Sequence, residues 1–210
     1  MPDGSAVIII EDVTERHRNE AKILHWTHHD SLTGLPNRRY LGDHAERLMA
    51  GGARREKVLV MYVDLDGFKH VNDSHGHNAG DELLKLAADR LRNAMRRGEL
   101  AARLGGDEFA VVTTYIADAS SAAFARKIIR DLSAPYSLSG GHTVHVGVSV
   151  GIALARPGEL FESALKRADA ALYDVKTHER GGYRVSDPDV APASNDEAPA
   201  VALGERSRSG

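Results

Sequence analysis

Short aliphatic runs alternate with longer amphipathic stretches along this chain. Aliphatic runs bounded by glycine or polar turn residues predict strands at 57–63, on both sides of the glycines at 105 and 106, at 144–153 as one strand or a strand pair, and at 183–185. Stretches with apolar residues at helical spacing predict helices at 38–49, 68–75, 79–95, 120–132 and 160–179. Both kinds of element therefore occur in one mixed order.

This order predicts the fold class. A strand, helices, two strands, a helix, a strand, a helix and a last strand indicate an α+β domain with a single antiparallel-rich sheet and helices packed around it. Coverage of one face of the sheet is the natural solution. The large side chains expected in the core are Met61, Tyr62, Phe109 and Tyr173. We place this domain at 29–186.

The two flanking segments differ from the domain in composition. Residues 1–28 contain an aliphatic strand at 6–10, which cannot stand alone, and a charged, exposed helix at about 14–28. Residues 187–210 are rich in Pro, Ala, Ser, Asp and Glu without periodicity. We expect this tail to be disordered, because it cannot bury enough apolar surface to fold.

Composition excludes several classes of protein. The chain has 210 residues and a net charge of −3, which allows one full core and gives no electrostatic basis for binding nucleic acid. It has no cysteine, so disulfides and thiolate metal sites are excluded. The apolar run at 6–10 is too short to span a bilayer and lacks the features of a secretory signal. We therefore expect a soluble, cytoplasmic protein with no membrane segment.

The most informative local pattern is Gly105-Gly106-Asp107-Glu108 between two apolar runs. The flanking runs predict a tight hairpin. Glycine there allows positive φ and lets phosphates of another molecule approach the backbone. A turn needs a glycine and a polar residue, but it does not need two adjacent acids before an apolar strand. The excess negative charge predicts a bound cation.

A further acid, Asp64, follows the strand at 57–63. Taken alone, a turn after a strand explains it equally well. Sequential strands usually lie side by side, however, so Asp64, Asp107 and Glu108 are expected to meet at one edge of the sheet. Hard oxygen ligands without histidine or cysteine suit Mg²⁺ or Mn²⁺, which bind through one or two carboxylates together with substrate phosphates.

Two other patterns are compatible with a nucleotide but also have simpler explanations. Asn72 and Asp81 provide an amide and a carboxylate that can bind the hydrogen-bonding edge of guanine, whereas helix capping by Asn78 or Asp81 is the simpler explanation. Lys176 and Arg180 share one helix face and could hold a triphosphate. A solvated helix face is the simpler explanation for that pair.

Together these patterns resemble the GGDEF-domain diguanylate cyclases, a family named after the run at 105–109. The resemblance covers about 30–184 and rests on an ordered set of motifs. In chain order these are DSLTGLPNR at 30–38, DLDGFK at 64–69, Asn72-Asp73, Gly76-His77, Gly80-Asp81, GGDEF at 105–109, Ser149-Val150-Gly151 and ADAALY at 168–173. One pentapeptide can arise by chance, but the whole set in this order is highly specific.

The resemblance implies a fold similar to the palm of polymerases and class III nucleotide cyclases, with a ferredoxin-like core. It implies the condensation of two GTP into cyclic di-GMP with release of two pyrophosphates. The reaction takes place in a homodimer, in which each subunit holds one GTP and the two sites face each other.

The resemblance also implies a role for each matching residue. The expected ligands of two Mg²⁺ or Mn²⁺ ions per site are Asp64, Asp107 and the backbone carbonyl of Leu65. The expected GTP-binding residues are Asn72 and Asp81 at guanine, His77 against the nucleotide, Lys176 and Arg180 at the phosphates, and Gly105 and Gly106 in the bend. Lys69 is expected to stabilise transition-state charge, and Asp107 or Glu108 to take the proton of the attacking 3′-hydroxyl.

Many family members carry Arg-x-x-Asp before the signature, where cyclic di-GMP binds and inhibits. The aligned residues here are Arg96 and Glu99, which predicts weakened product inhibition. The run at 4–18 is similar to the last strand of a PAS sensor and its exit helix.

Two alternative functions stay open. The first is a GTP- or cyclic di-GMP-binding regulatory module without catalysis; such members usually have a damaged signature, whereas 105–108 and Asp64 are intact. The second is a cyclase that makes a different cyclic nucleotide. Asp81 argues for guanine over adenine and hence against it.

Overall fold

The computed structural model describes residues 27–51, 57–96, 98–115, 118–178 and 180–186. Its strands are β1 (Lys57–Asp66), β2 (Leu100–Gly105), β3 (Glu108–Tyr115), β4 (Tyr136–Ser137), β5 (Thr143–Val144), β6 (Gly147–Leu154) and β7 (Tyr183–Val185). Its helices are α1 (Arg38–Gly51), α2 (Phe68–His75), α3 (His77–Ala94), α4 (Asp118–Ser133) and α5 (Phe161–His178).

Five of the strands form one mixed sheet in the order β2-β3-β1-β6-β7. Strand β1 is central because it pairs antiparallel with β3 on one side and with β6 on the other. Strand β7 closes the edge by pairing parallel with β6. Strands β4 and β5 form a separate two-stranded hairpin. The predicted α+β class with an antiparallel-rich sheet is confirmed.

Helices cover both faces of the sheet, so the expected coverage of one face is wrong. Met61 and Val63 of β1 pack in one core with α3 and α4. Val60 and Tyr62 pack on the opposite face with α1 and α5. Successive strand residues point to opposite faces, and because both sets are apolar here, each face requires its own layer of helices.

One boundary difference affects the site. The sequence pattern ends the first strand before Asp64, but β1 continues to Asp66. Its ladder with β6 extends through the pairs of Asp64 with Ser149 and of Asp66 with Gly147. Asp64 therefore lies within the sheet and not in a loop after it.

The predicted core is correct except at one position. Met61, Tyr62 and Phe109 are buried, whereas Tyr173 is 69% exposed. The preceding residue of α5, Leu172, packs in the core between this helix and the sheet. Adjacent residues of a helix point in different directions. Tyr173 therefore faces solvent.

The predicted strand at 6–10, most of the helix at 14–28 and the tail at 187–210 lie outside the described residues. The resemblance of the N-terminal run to a PAS sensor stays a prediction. In the described ranges, each helix falls short of the length or the apolar character that a bilayer crossing requires.

Candidate active site

The two glycines and Asp107 form the bend between β2 and β3. Gly105 pairs with Glu108 at the end of the hairpin, which leaves Gly106 and Asp107 as a two-residue turn. The φ angles of Gly105 and Gly106 are +153° and +50°, so the bend uses the positive φ that glycine allows. The Asp107 carbonyl oxygen accepts a hydrogen bond from the Leu65 amide at 3.4 Å. The bend thus lies against the end of β1.

Asp64 lies at this same end of the sheet. It stands opposite Glu108 of β3 and is 5% exposed. Burial raises the pKa of its carboxyl group; the ion pair with Lys176 acts in the opposite direction, and the charges of Asp107 and Asp66 raise the pKa further. The fold therefore brings Asp64, Asp107 and Glu108 to the same end of the sheet, as the sequence predicts.

The donor atoms at this edge fit magnesium. The amide and carbonyl of one strand residue point to the same side, so the Leu65 carbonyl faces the bend that its amide contacts. Together with Asp64 and Asp107 it supplies hard oxygen donors. In the described part of the chain, no group of three or more His, Cys, Asp and Glu side chains could hold a metal ion. Nucleotide phosphates would therefore complete the ligand shell, as is usual for Mg²⁺.

Helix α5 places Lys176 in an ion pair with the buried Asp64. Nζ of Lys176 lies 2.7 Å from Oδ2 of Asp64. A Cβ on Gly151 would lie 1.9 Å from the Ala168 carbonyl oxygen and 2.4 Å from the Leu172 amide nitrogen, so α5 rests directly on the backbone of β6. Lys176 follows Leu172 by one helical turn, which carries its ammonium group to the sheet end.

The other two predicted cations are open to solvent. Arg180 lies just beyond α5 and borders a surface pocket together with Asp174 and His178. Lys69 is in the first turn of α2, which begins two residues after Asp66. Both side chains are therefore accessible to a phosphate group from solution.

The contact between α2 and α3 brings Asn72 close to Asp81. A Cβ on Gly80 would lie 1.9 Å from Oδ1 of Asn72, so this amide packs against the backbone immediately before Asp81. Asp81 and His77 are both exposed in the first two turns of α3. The amide, the carboxylate and the imidazole predicted at the nucleotide thus belong to one helix pair.

Helix capping does not account for this loop. The N-cap of α3 is Gly76, without a side-chain hydrogen bond. Asn78 and Asp81 both lie inside the helix, so the simpler explanation offered by the sequence is wrong. The roles of Asn72 and Asp81 at guanine stay predictions.

The residues aligned with the product site lie between α3 and β2. Oε2 of Glu99 accepts a hydrogen bond from the Arg96 amide at 2.7 Å, and Oε1 accepts one from the Thr113 hydroxyl at 3.3 Å. The Arg96 side chain is exposed. The longer acid is thus turned back onto its own loop and onto β3.

Sequence reasoning missed the role of Arg103. Its guanidinium group forms an ion pair with Asp30 at 3.0 Å and donates to the Gly106 carbonyl oxygen at 2.9 and 2.8 Å. Burial raises the pKa of Asp30, but hydrogen bonds from Thr33 and Arg103 outweigh it and lower the pKa. The first residue of the 30–38 motif therefore helps to hold the bend. The pair is 73 residues apart, so no local pattern could reveal it.

Ser149 connects β1 to the segment after α5. Its hydroxyl donates to Oδ2 of Asp66 at 2.7 Å and accepts from the Gly181 amide at 3.2 Å. This serine belongs to the sequence motif at 149–151. Its hydrogen-bond partners are distant in sequence, so only the fold reveals them. Gly181 follows Arg180, so this contact also fixes the backbone that carries the predicted phosphate ligand.

Comparison with known proteins identifies the family. The family model described as "Diguanylate cyclase, GGDEF domain" matches residues 27–182. This match covers most of the domain, including Asp64, Asp107 and Glu108 and the helix pair α2 and α3. The chain therefore belongs to the GGDEF-domain family of diguanylate cyclases.

The relatives agree with this assignment. The diguanylate cyclase TpbB of Pseudomonas aeruginosa PAO1 is 41% identical over 170 residues, which are 80% of this chain and 39% of TpbB. The chain thus spans about two fifths of the length of this curated relative. The solved GGDEF domain of TpbB matches with a TM-score of 0.70 and 41% identity, covering 76% of this chain and 95% of that one.

A second solved structure shows a ligand. The GGDEF domain of DgcB from Caulobacter crescentus, in complex with cyclic di-GMP, matches with a TM-score of 0.68 and 30% identity. The match covers 76% of this chain and 95% of that one. The fold predicted from the sequence motifs is therefore that of solved GGDEF domains.

Proposed function

We propose that this chain is an active diguanylate cyclase, which condenses two GTP into cyclic di-GMP and releases two pyrophosphates. The observation that carries the proposal is the acid edge, the end of the sheet at which Asp64 lies opposite Glu108 and next to the bend of Asp107, with Lys176 paired to Asp64. TpbB, a relative that shares 41% of its residues over the domain, is a diguanylate cyclase. A site of this composition is suited to a nucleotide phosphate with its divalent cation.

The positions of these side chains support a proposed binding mode for GTP. Asn72 and Asp81 bind the edge of guanine, because an amide and a carboxylate together match its acceptor and donors. His77 lies against the nucleotide from the start of α3. Lys176 and Arg180 hold the phosphates from the end of α5.

The chemistry is an in-line displacement. The 3′-hydroxyl oxygen of one GTP bonds to the α-phosphorus of the other, and the bond from that phosphorus to the bridging oxygen of pyrophosphate breaks. Asp107 or Glu108 accepts the hydroxyl proton, and Lys69 stabilises charge on the phosphate. Asp64, Asp107 and the Leu65 carbonyl would hold two magnesium ions, which would neutralise phosphate charge and acidify the hydroxyl. The 3′-hydroxyl oxygen of the second GTP then bonds to the α-phosphorus of the first in the same way, which releases the second pyrophosphate.

Two copies of the chain are needed for this reaction. Each GTP contributes one attacking hydroxyl and one α-phosphate, and the acid edge described here can serve one α-phosphate at a time. A homodimer with facing sites supplies both. Synthesis in dilute solution should therefore depend on more than the first power of the protein concentration.

One contact supports the alternative of a binding module without catalysis. Lys176 forms an ion pair with Asp64, and this ion pair must break before the Asp64 carboxylate can bind a metal ion. If it stays closed, the chain would bind GTP through α2 and α3 without turnover. Activity and binding must therefore be measured separately.

The test is incubation of the purified chain with GTP and Mg²⁺, followed by chromatography of cyclic di-GMP and an assay of pyrophosphate. We expect two pyrophosphates per cyclic dinucleotide, and loss of detectable synthesis in Asp107→Ala because a metal ligand is removed. Asp89→Asn is the matched control, since Asp89 is an exposed helix residue paired with Arg92. It should leave the rate unchanged.

Three results would contradict the proposal. GTP binding without product, over a wide range of protein concentration, would indicate the regulatory module. Full activity of Asp107→Ala would refute the assignment of the metal site. A cyclic mononucleotide as the product would indicate the other kind of cyclase.

A further inference from the structure

A tyrosine of the core contacts one of the signature acids. Tyr62 precedes Asp64 by two residues on β1, so both side chains point to the face covered by α5. The Tyr62 hydroxyl donates a hydrogen bond to Oε2 of Glu108 at 3.0 Å. Burial raises the pKa of Tyr62, and the Glu108 charge raises it further.

The ring of Tyr62 is held by the core. The residue is 8% exposed, and the positions opposite it are Ala110 on β3 and Gly151 on β6. Tyr62 belongs to the same core as Ala110 and as Leu172 of α5, which rests directly on Gly151. A tyrosine packed in this way has few rotamers, so the position of its hydroxyl is set by the sheet.

Glu108 needs such a support. It is half-buried at the start of β3, next to the bend. A glutamate side chain that is free to rotate loses conformational entropy when it is fixed, and this loss opposes catalysis if it occurs during the reaction. The hydrogen bond from Tyr62 fixes Oε2 of Glu108 before the nucleotide binds. The other carboxylate oxygen, Oε1, would then act on the nucleotide.

We propose that Tyr62 is a positioning residue for catalysis, which holds Glu108 in the orientation needed to act on the 3′-hydroxyl. This inference rests on the proposed cyclase function and adds to it a residue outside the signature. Tyr62 touches neither substrate nor metal in this scheme. Its effect is transmitted through Glu108.

Tyr136 is a buried tyrosine whose hydroxyl has a structural role and lies away from the acid edge. It is fully buried, and its hydroxyl donates to the Leu132 carbonyl oxygen at 2.6 Å. Its core is the one on the opposite face of the sheet. Tyr136→Phe therefore removes a buried hydroxyl without touching the acid edge, which makes it a matched control for Tyr62→Phe.

The experiment compares kcat and the KM for GTP in the two variants of the full chain. We expect Tyr62→Phe to lower kcat by about 10-fold, the effect of losing one hydrogen bond to a charged group, with KM within about twofold. Tyr136→Phe should leave both constants unchanged. In a Glu108→Gln background, Tyr62→Phe should cause little further loss, because the group it positions is no longer a carboxylate.

The outcomes separate this inference from the proposed function. If the wild type makes cyclic di-GMP and Tyr62→Phe keeps full kcat, or loses as much activity in the Glu108→Gln background, the inference is wrong and the proposed function stands. If the wild type is inactive, the proposed function fails, and the ¹³C signal of the Glu108 carboxyl group decides about Tyr62. A shift of that signal in Tyr62→Phe but not in Tyr136→Phe supports the positioning contact; an unchanged signal overturns it.

Discussion

Replacement of Gly151 by alanine tests how the fold places its lysine. A Cβ there would lie 1.9 Å from the Ala168 carbonyl oxygen and 2.4 Å from the Leu172 amide nitrogen. Both are backbone atoms of α5, so neither can rotate away as a side chain would. Ordinary contact begins near 3.4 Å, and the helix would have to withdraw from β6 by about 1.5 Å to reach it.

The cost follows from the surroundings. Overpacking of a core destabilises proteins by about 1–3 kcal/mol. We expect the upper part of this range, because Val150 and Ile152 on either side are fully buried and a close-packed sheet yields little. A loss of 2–3 kcal/mol lowers the Tm of a domain of this size by roughly 4–12 °C. The shift also moves Lys176 away from Asp64, and misplacement by about 1 Å can cost about 100-fold in rate.

Thermal melting followed by circular dichroism measures the first effect, and cyclic di-GMP synthesis well below the melting range measures the second. Gly42→Ala is the matched control. Its Cβ would lie 3.4 Å from the Phe161 ring, an ordinary contact, and alanine favours a helix interior by up to about 1 kcal/mol. It should keep or raise the Tm. An unchanged Tm in Gly151→Ala would refute our account of how α5 is seated.

Two further predictions concern stability and inhibition. Glu159→Gln leaves the guanidinium of Arg167, whose side chain is 3% exposed, without its ionic partner, and should destabilise the fold by about 3–5 kcal/mol at pH 7 in urea titrations. Burial raises the pKa of Glu159, but hydrogen bonds from Arg167 prevail and lower it; the contribution is thus complete above its ordinary value of 4.5 and lost as the pH falls through the lowered pKa. Glu99→Asp should reduce the cyclic di-GMP concentration for half-inhibition by about 10-fold, or about 1.4 kcal/mol, because the shorter acid restores the Arg-x-x-Asp pattern at Arg96.

One result would contradict each of these two predictions. A destabilisation by Glu159→Gln that persists unchanged at pH 3 would mean that its charge is not what holds Arg167. Equal product inhibition of the wild type and Glu99→Asp would show that the hydrogen bonds of Glu99 to its own loop do not weaken the site. Arg96→Ala serves as the reference without a product-binding arginine.

Local patterns determined much of this protein. Two glycines followed by two acids restrict the backbone within four residues, so the hairpin bend at 105–108 was predictable with its positive φ angles. Helix limits differ from prediction by at most two residues, since caps, glycines and apolar spacing act over single turns. The ordered motifs also fixed the family, because each one has its own local chemistry.

Tertiary structure decided what those residues contact. Tyr62 and Glu108 are 46 positions apart, and Asp30 and Arg103 are 73 apart; each pair depends on which strands are neighbours and in what register. A slip of one residue would turn every strand side chain to the other face. Coverage of both faces and the seating of α5 on Gly151 likewise result from packing between distant segments, which spacing along the chain does not encode.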